Sequence, residues 1–343
     1  MHAPTMTINS PDAPHATLRL AADANASRKA GAILAGGGLV AFPTETVYGL
    51  GADATDAKAI ARLYATKGRP LFNPLIAHVD TVEKALALGK FSQQARRLAE
   101  AFWPGPLTLV VPAAPDCPVC ELARAGLPSL AIRVPDHPVA RAVLAAAGKP
   151  IAAPSANRSG HVSPTNPAHV LADLDGLLDA LVEAGPTQIG VESTIVACLD
   201  EEVRLLRPGG VPREALARVL GHPLSAPRTD GTKPLAPGRL ASHYAPRHPV
   251  RLDATAVNPG EACLAFGTPL PPGADPALTL NLSESGSLVE AAANLYRHLR
   301  ALDALPVTGI AAMGIPDAAL GEAIRDRLLR AAAPRETAQE NFT

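Results

Sequence analysis

Between Leu39 and His78 the chain lays out, in order, a compact apolar strand, a polar loop, an amphipathic helix, a basic loop and a second strand. That succession restricts the fold to an α/β class, with ligand groups expected where strands end. Leu39 to Phe42 forms the first strand, Pro43 ends its pairing, and Thr44-Glu45-Thr46 then places two hydroxyls around a carboxylate. Thr55 caps a helix whose Ala59, Ile60, Leu63 and Tyr64 share one side, and the helix ends at Lys67 and Gly68. Lys67 and Arg69, set off by Gly68 and Pro70, read either as a presented anion clamp or as a basic helix end that complements the macrodipole. Gly49-Leu50-Gly51-Ala52-Asp53-Ala54 has the spacing of a dinucleotide-binding turn. The polar triplet separates it from the strand that should feed such a turn directly, which argues against a cofactor there.

Later segments repeat the theme of polar residues at strand ends. A helix starting at Ser92 runs to Phe102, and Trp103-Pro104-Gly105-Pro106 turns the chain into Leu107 to Val111, a buried strand with one hydroxyl, Thr108. Trp103 reads as core. Ser129 to Pro135 buries Arg133 in an otherwise apolar strand, and a buried guanidinium needs a carboxylate or phosphate partner from protein or ligand. Ile151 to Ala153 delivers Pro154-Ser155-Ala156-Asn157, and Val191-Glu192-Ser193-Thr194 and Arg207-Pro208-Gly209 end the region. Lys67, Arg69, Arg133 and Arg207 together describe a cleft for an anionic substrate. No Gly-x-x-x-x-Gly-Lys-Ser/Thr loop is present, so a nucleotide would not be held in the P-loop manner.

The anion site has to be local, because 31 basic and 32 acidic side chains leave a formal net charge of -1. The same balance disfavours a double-stranded RNA-binding module, which would show a basic excess. Aromatic residues make up only 3% of the chain, so Ala, Leu, Val and Ile must build the cores. Of four cysteines, Cys117 and Cys120 form a Cys-x-x-Cys, but no second pair or histidine cluster completes a zinc site, and the flanking prolines place them in a surface loop. The first twenty residues lack the basic start and apolar run of a signal peptide, and no later apolar stretch suits a membrane span; the expectation is a soluble cytoplasmic protein.

Residues 1–17 read as a loose tail, 18–221 as the first domain and 222–247 as a Pro- and Gly-rich linker. Strands and helices alternate again across 248–343, giving a smaller Rossmann-like α/β domain with no glycine fingerprint or catalytic cluster, better suited to lid positioning, regulation or docking.

Pro-Thr-Glu-Thr-Val-Tyr-Gly-Leu, Lys-x-Arg-Pro with Asn-Pro-Leu, Pro-Ser-Ala-Asn, Val-Glu-Ser-Thr and Arg-Pro-Gly, in this order, resemble the YrdC-type domain of threonylcarbamoyl-AMP synthases. The likeness covers residues 17 to 220. The two-domain form of that family joins its halves by a linker to which Pro237-Gly238 and His243-Tyr244-Ala245-Pro246 correspond, with departures at Ala236 and Arg239. The resemblance implies a large twisted mixed sheet flanked by helices, a linker that folds over the active site, and formation of threonylcarbamoyl-AMP and pyrophosphate from L-threonine, bicarbonate and ATP. By matched motif positions it puts Thr44, His78, Arg133 and Ser193 on the threonine side. Lys67, Arg69, Thr108, Ser155, Asn157, Ser163, Arg207 and Tyr244 go to ATP, with Lys67 and Arg69 as the catalytic cations. It further implies Mg²⁺ carried by the ATP phosphates and a hand-off of product to a tRNA threonylcarbamoyl-transferase complex. A related use of such a domain, carbamoyl transfer for metallocentre maturation, would need additional modules ahead of it, which the N-terminal tail does not accommodate.

Overall fold

A computed structural model describes residues 16–227 and 243–334. Ten strands of the first half make one sheet: β1 (Leu18–Ala21), β2 (Val40–Pro43), β3 (Tyr48–Asp53), β4 (Ile76–His78), β5 (Leu107–Pro112), β6 (Ser129–Arg133), β7 (Ile151–Ala152), β8 (Ala180–Glu183), β9 (Thr194–Ala197) and β10 (Arg204–Arg207). Their spatial order is β1-β8-β2-β3-β7-β4-β6-β5-β9-β10. Pairings of both senses occur, β4 lying parallel to β6 and β5 antiparallel to it, so the sheet is mixed as expected.

The first polar loop turns out to be the tip of a hairpin. Pro43 pairs with Tyr48 and Val40 with Gly51 in an antiparallel register, so the apparent dinucleotide glycines lie inside β3. Pro43 does not end pairing as the sequence suggested, because a proline at a strand terminus forfeits only a donor that the turn leaves unused. Helix α1 (Ala24–Ala35) is capped by Asp23, whose side chain accepts from the Ala26 N–H. In α2 (Ala57–Lys67) Asp56 replaces Thr55 as cap, since Thr55 is held by the Asp53 carboxylate instead. Helix α2 stops at Gly68, whose φ of 59° places it in the left-handed region that favours glycine, and this bend sends Arg69 off the helix axis.

Helices α3 (Val82–Leu88), α4 (Gln93–Phe102), α5 (Pro138–Ala147), α6 (Pro167–Leu174) and α7 (Arg213–Leu220) complete the first half. The alternation of side chains along each strand sorts them by face. Leu107, Leu109 and Val111 of β5, Leu130 and Ile132 of β6, Ala77 of β4 and Val196 of β9 join the main core, which also takes in Leu98 of α4, Leu63 of α2 and Leu216 of α7. The opposite positions, Ile76, Val110, Ala131 and Ile195, form a small apolar floor. His78, Thr108 and Arg133 alternate onto that same side, so the sheet presents three polar groups around an apolar base.

The second half is a four-stranded parallel sheet, in order β11 (Val250–Arg251), β14 (Gly309–Ala312), β12 (Glu261–Ala265) and β13 (Thr279–Asn281), with helices α8 (Leu288–Asp303) and α9 (Leu320–Ala332). This is the smaller α/β unit that the alternating pattern called for. Its core continues into the first half: Val47, Val162 and Val191 join Tyr244, Tyr296, Ile324 and Leu328 in one buried cluster. Ion pairs Arg300–Asp173 at 2.9 Å and Arg213–Glu322 at 2.5 Å also cross between the halves. No helix of the described residues is long and apolar enough to cross a membrane.

Gly190 shows how closely the halves approach. It has φ +79°, and a β-carbon there would fall 2.3 Å from the Ala292 carbonyl oxygen of α8. Gly190→Ala is therefore expected to destabilise the protein by about 1–3 kcal/mol, through overpacking and an unfavourable φ. A urea midpoint that did not fall would refute this account of the contact.

Candidate active site

One cavity is lined by Thr46, Val47, Arg69, Ile76, His78, Arg133, Ala153, Pro154, Ser155, Glu192, Ser193, Arg207, His243 and Tyr244. Its floor is the open side of the sheet, its rim comes from the β2–β3 hairpin, the turn after β7 and the segment leading into β9, and His243-Tyr244 closes it from the start of the second half. Of the residues anticipated from sequence, Arg69, His78, Arg133, Ser155, Ser193, Arg207 and Tyr244 line it directly. The other five sit one hydrogen bond behind the wall.

Thr44 Oγ1 donates to the Val47 carbonyl at 2.7 Å and contacts Thr46 Oγ1 at 2.8 Å, fixing the hairpin tip. Lys67 Nζ donates to the backbone carbonyls of Ser155 and Asn157. Asn157 Nδ2 in turn donates to the Arg158 and His161 carbonyls. Thr108 Oγ1 lies 2.7 Å from Ser193 Oγ, and Ser163 Oγ donates to Glu192 at 2.6 Å. These five set the shape of the cavity more directly than they face it.

The cations are the unusual feature. Lys67, Arg69 and Arg207 are all buried, and none forms a carboxylate ion pair among the described residues. Arg69 donates to the Asn73 and Pro74 carbonyls, and Arg207 to the Ser193 carbonyl at 2.8 Å. Burial and then the charge of Arg69 push the Lys67 ammonium well below its ordinary pKa. Burial likewise lowers Arg69 to about 10. Buried cations held by neutral dipoles and by no carboxylate are destabilised in the empty protein, and an arriving polyanion relieves them.

Arg133 is different. It lines the cavity, yet its Nη2 donates to Glu45 at 2.6 Å and its Nε to the Gly105 carbonyl. The carboxylate inferred as a possible partner is thus present in the protein, and Glu45 Oε2 has no hydrogen-bond partner among the described residues. His78 is neutral: burial and the adjacent Arg133 charge lower its pKa to about 3. With Nδ1 donating 3.0 Å to the Ile76 carbonyl, Nε2 is left as an acceptor.

Four participants escaped the sequence reading: Glu192, His243, Tyr296 and Arg327. Burial pushes the Glu192 carboxyl up, but the charges of Arg327 and Arg207 outweigh it and hold the pKa at about 2. His243 packs edge-on against Tyr244, ring centres 4.1 Å apart, and burial lowers it to about 3. The one available signal was Arg327, which falls on the apolar face of α9 with Ile324, Leu328 and Ala331, where a charge demands a partner. The front of the linker, including Ala236 to Arg239, lies outside the described residues.

Comparisons with known proteins bear on both halves. The Sua5, YciO and YrdC family model, described as telomere recombination, matches residues 32–209, and the model of the threonylcarbamoyl-AMP synthase C-terminal domain matches 211–333. Threonylcarbamoyl-AMP synthase of Bacillus subtilis is 41% identical over 322 residues, covering 90% of this chain and 93% of the relative. That of Pyrococcus abyssi is 39% identical, covering 87% and 92%. A crystal structure of Pyrococcus abyssi Sua5 complexed with L-threonine superposes with a TM-score of 0.84 at 34% identity, covering 93% of this chain and 98% of that one. With both halves matched in order and nearly the whole length shared, the chain belongs to the threonylcarbamoyl-AMP synthase family.

Proposed function

We propose that this chain forms threonylcarbamoyl-AMP and pyrophosphate from L-threonine, bicarbonate and ATP. The observation that carries the chemistry is the group of three buried cations, Lys67, Arg69 and Arg207, that lack a carboxylate partner among the described residues beside a partly open cavity. The threonine amine, having shed its proton, condenses with bicarbonate to a carbamate with loss of water. A carbamate oxygen then attacks the α-phosphorus, and the bond to the β-phosphate bridging oxygen breaks to release pyrophosphate. Both partners are anions, so the protein's task is to hold them together against repulsion and to neutralise charge that builds on the leaving phosphates.

In this reading Arg133, His78, Thr44 and Ser193 form the threonine end. Arg133 pairs with the amino-acid carboxylate, while Glu45 steadies its guanidinium from behind. Thr44 acts by setting the hairpin tip, and Ser193 Oγ, steadied by Thr108, offers a hydroxyl to the middle of the cleft. Arg69 and Arg207 receive the phosphates and Lys67 adds its charge from one hydrogen bond behind the wall, with Ser155, Asn157, Ser163 and Tyr244 shaping the nucleotide end. No group of three or more His, Cys, Asp or Glu able to hold a metal ion occurs among the described residues. The nearby carboxylates each pair with an arginine, Glu45 with Arg133 through one oxygen and Glu192 with Arg327. Mg²⁺ would accordingly enter on the ATP phosphates, where it would offset their charge. The product is then passed to a tRNA threonylcarbamoyl-transferase complex.

Purified protein is expected to release pyrophosphate from ATP only when threonine and bicarbonate are both present, as read by a coupled phosphate assay. Release that ignored threonine would overturn the assignment.

A further inference from the structure

Arg327 of α9 is fully buried, yet it does not line the cavity. Its Nε donates to Glu192 at 2.8 Å, and its Nη1 donates to the Pro208 carbonyl at 2.8 Å and pairs with Asp326 at the same distance. Tyr296 of α8 places its hydroxyl 2.9 Å from the same Glu192 carboxylate. Its ring stacks on Tyr244, centres 5.6 Å apart, while the Arg327 guanidinium carbon lies 5.2 Å from the Tyr244 ring centre. Glu192 and Arg207 line the cavity together without forming an ion pair. Glu192 spends its two oxygens on Ser163, Tyr296 and Arg327 instead.

We infer that Arg327 and Tyr296 are positioning residues by which the second domain engages Glu192, and so keep Arg207 free for the ATP phosphates. The inference rests on the reading of Arg207 given above. A buried carboxylate cannot stay without a counter-charge. If Arg327 did not hold Glu192, Arg207, which borders the same cavity and whose charge already acts on Glu192, would turn to it, and ATP would have to displace an internal anion before binding. The Arg327 contact to Pro208 works in the same direction, because it pins the backbone next to Arg207. The second domain therefore completes the charge balance of the phosphate site without touching substrate.

Steady-state kinetics of the full chain, with pyrophosphate release read while ATP or threonine is varied, test this. Arg327→Met is expected to raise the KM for ATP about tenfold while moving that for threonine less than about twofold. Tyr296→Phe, which keeps the stacked ring, shifts the ATP value in the same direction by less. Adding Glu192→Gln to Arg327→Met removes the carboxylate that would otherwise capture Arg207, so the double variant recovers most of the lost ATP affinity. A merely structural role would lower the folded fraction and the melting temperature and leave the KM for ATP unchanged. An unchanged KM in folded Arg327→Met, or a double variant no better than the single, overturns the inference. If Arg327→Met does not fold, Tyr296→Phe and Arg327→Lys decide it: a KM for ATP unmoved in Tyr296→Phe counts against it, and a Lys variant near wild type counts for it. Arg207→Ala in the same assay separates the two levels. A normal KM for ATP there would remove the assignment of Arg207 itself, whereas a raised one beside unaffected Arg327 variants would remove only the role of the second domain.

Discussion

Lys67→Ala and Arg69→Ala are each expected to lower threonine-dependent pyrophosphate release by about two to three orders of magnitude, the usual cost of removing one preorganised charge from a developing anion. The two should fail differently. Arg69 presents a guanidinium at the cavity wall while Nε and Nη2 are held by the Asn73 and Pro74 carbonyls, so its loss removes a phosphate ligand and little scaffold. Lys67 also ties the Ser155 and Asn157 carbonyls together, so its loss loosens the turn after β7 as well. Thermal melting should consequently fall further for Lys67→Ala than for Arg69→Ala, although both are nearly inactive. Arg69→Lys restores charge but not the planar fork and is expected to recover only a small part of the rate. Wild-type turnover in a folded Arg69→Ala protein would remove this cation from the reaction.

Arg133→Ala carries the second large effect, and it acts on stability and binding together. Glu45 and Arg133 are both buried, and their contact at 2.6 Å is the one ion pair of the hairpin tip among the described residues. Truncating one member leaves a desolvated charge, at a cost of about 3–5 kcal/mol. The same truncation removes the guanidinium assigned to the threonine carboxylate, so calorimetric threonine binding should disappear. A double replacement separates the effects. Arg133→Met with Glu45→Met removes both charges at once and should regain most of the stability, because a buried pair exchanged for apolar side chains is often neutral. It should not regain threonine binding. Threonine affinity persisting in that stable double variant would show that another group receives the carboxylate.

The pair of cations proposed for the phosphate end stood out in the sequence for a physical reason. Lys67-Gly68-Arg69-Pro70 is local: a helix end, a left-handed glycine and a proline fix the presentation of two cations within four residues. Strand positions such as His78, Thr108 and Arg133 were readable one at a time, since alternation along a strand assigns a side chain to a face. Which face stays open was not readable, because that depends on where α2, α4 and α7 pack. Misplaced details were also local competitions settled by neighbours. Thr55 lost the cap of α2 to Asp56 once Asp53 took its hydroxyl, and Pro43 stayed in the sheet because the hairpin left its missing donor unneeded.

Taken alone, the sequence determined the class of fold, the division into two alternating α/β segments and the motifs that name the family, because periodicity and turn chemistry act over a few residues. The tertiary structure alone decided which charges are spoken for. Arg133 meets Glu45 across 88 residues and Arg327 meets Glu192 across 135, pairings that no short-range pattern encodes. Those two pairs occupy the carboxylates nearest the cavity, and the cations left without such a partner among the described residues, Lys67, Arg69 and Arg207, are the ones with charge to offer an incoming anion.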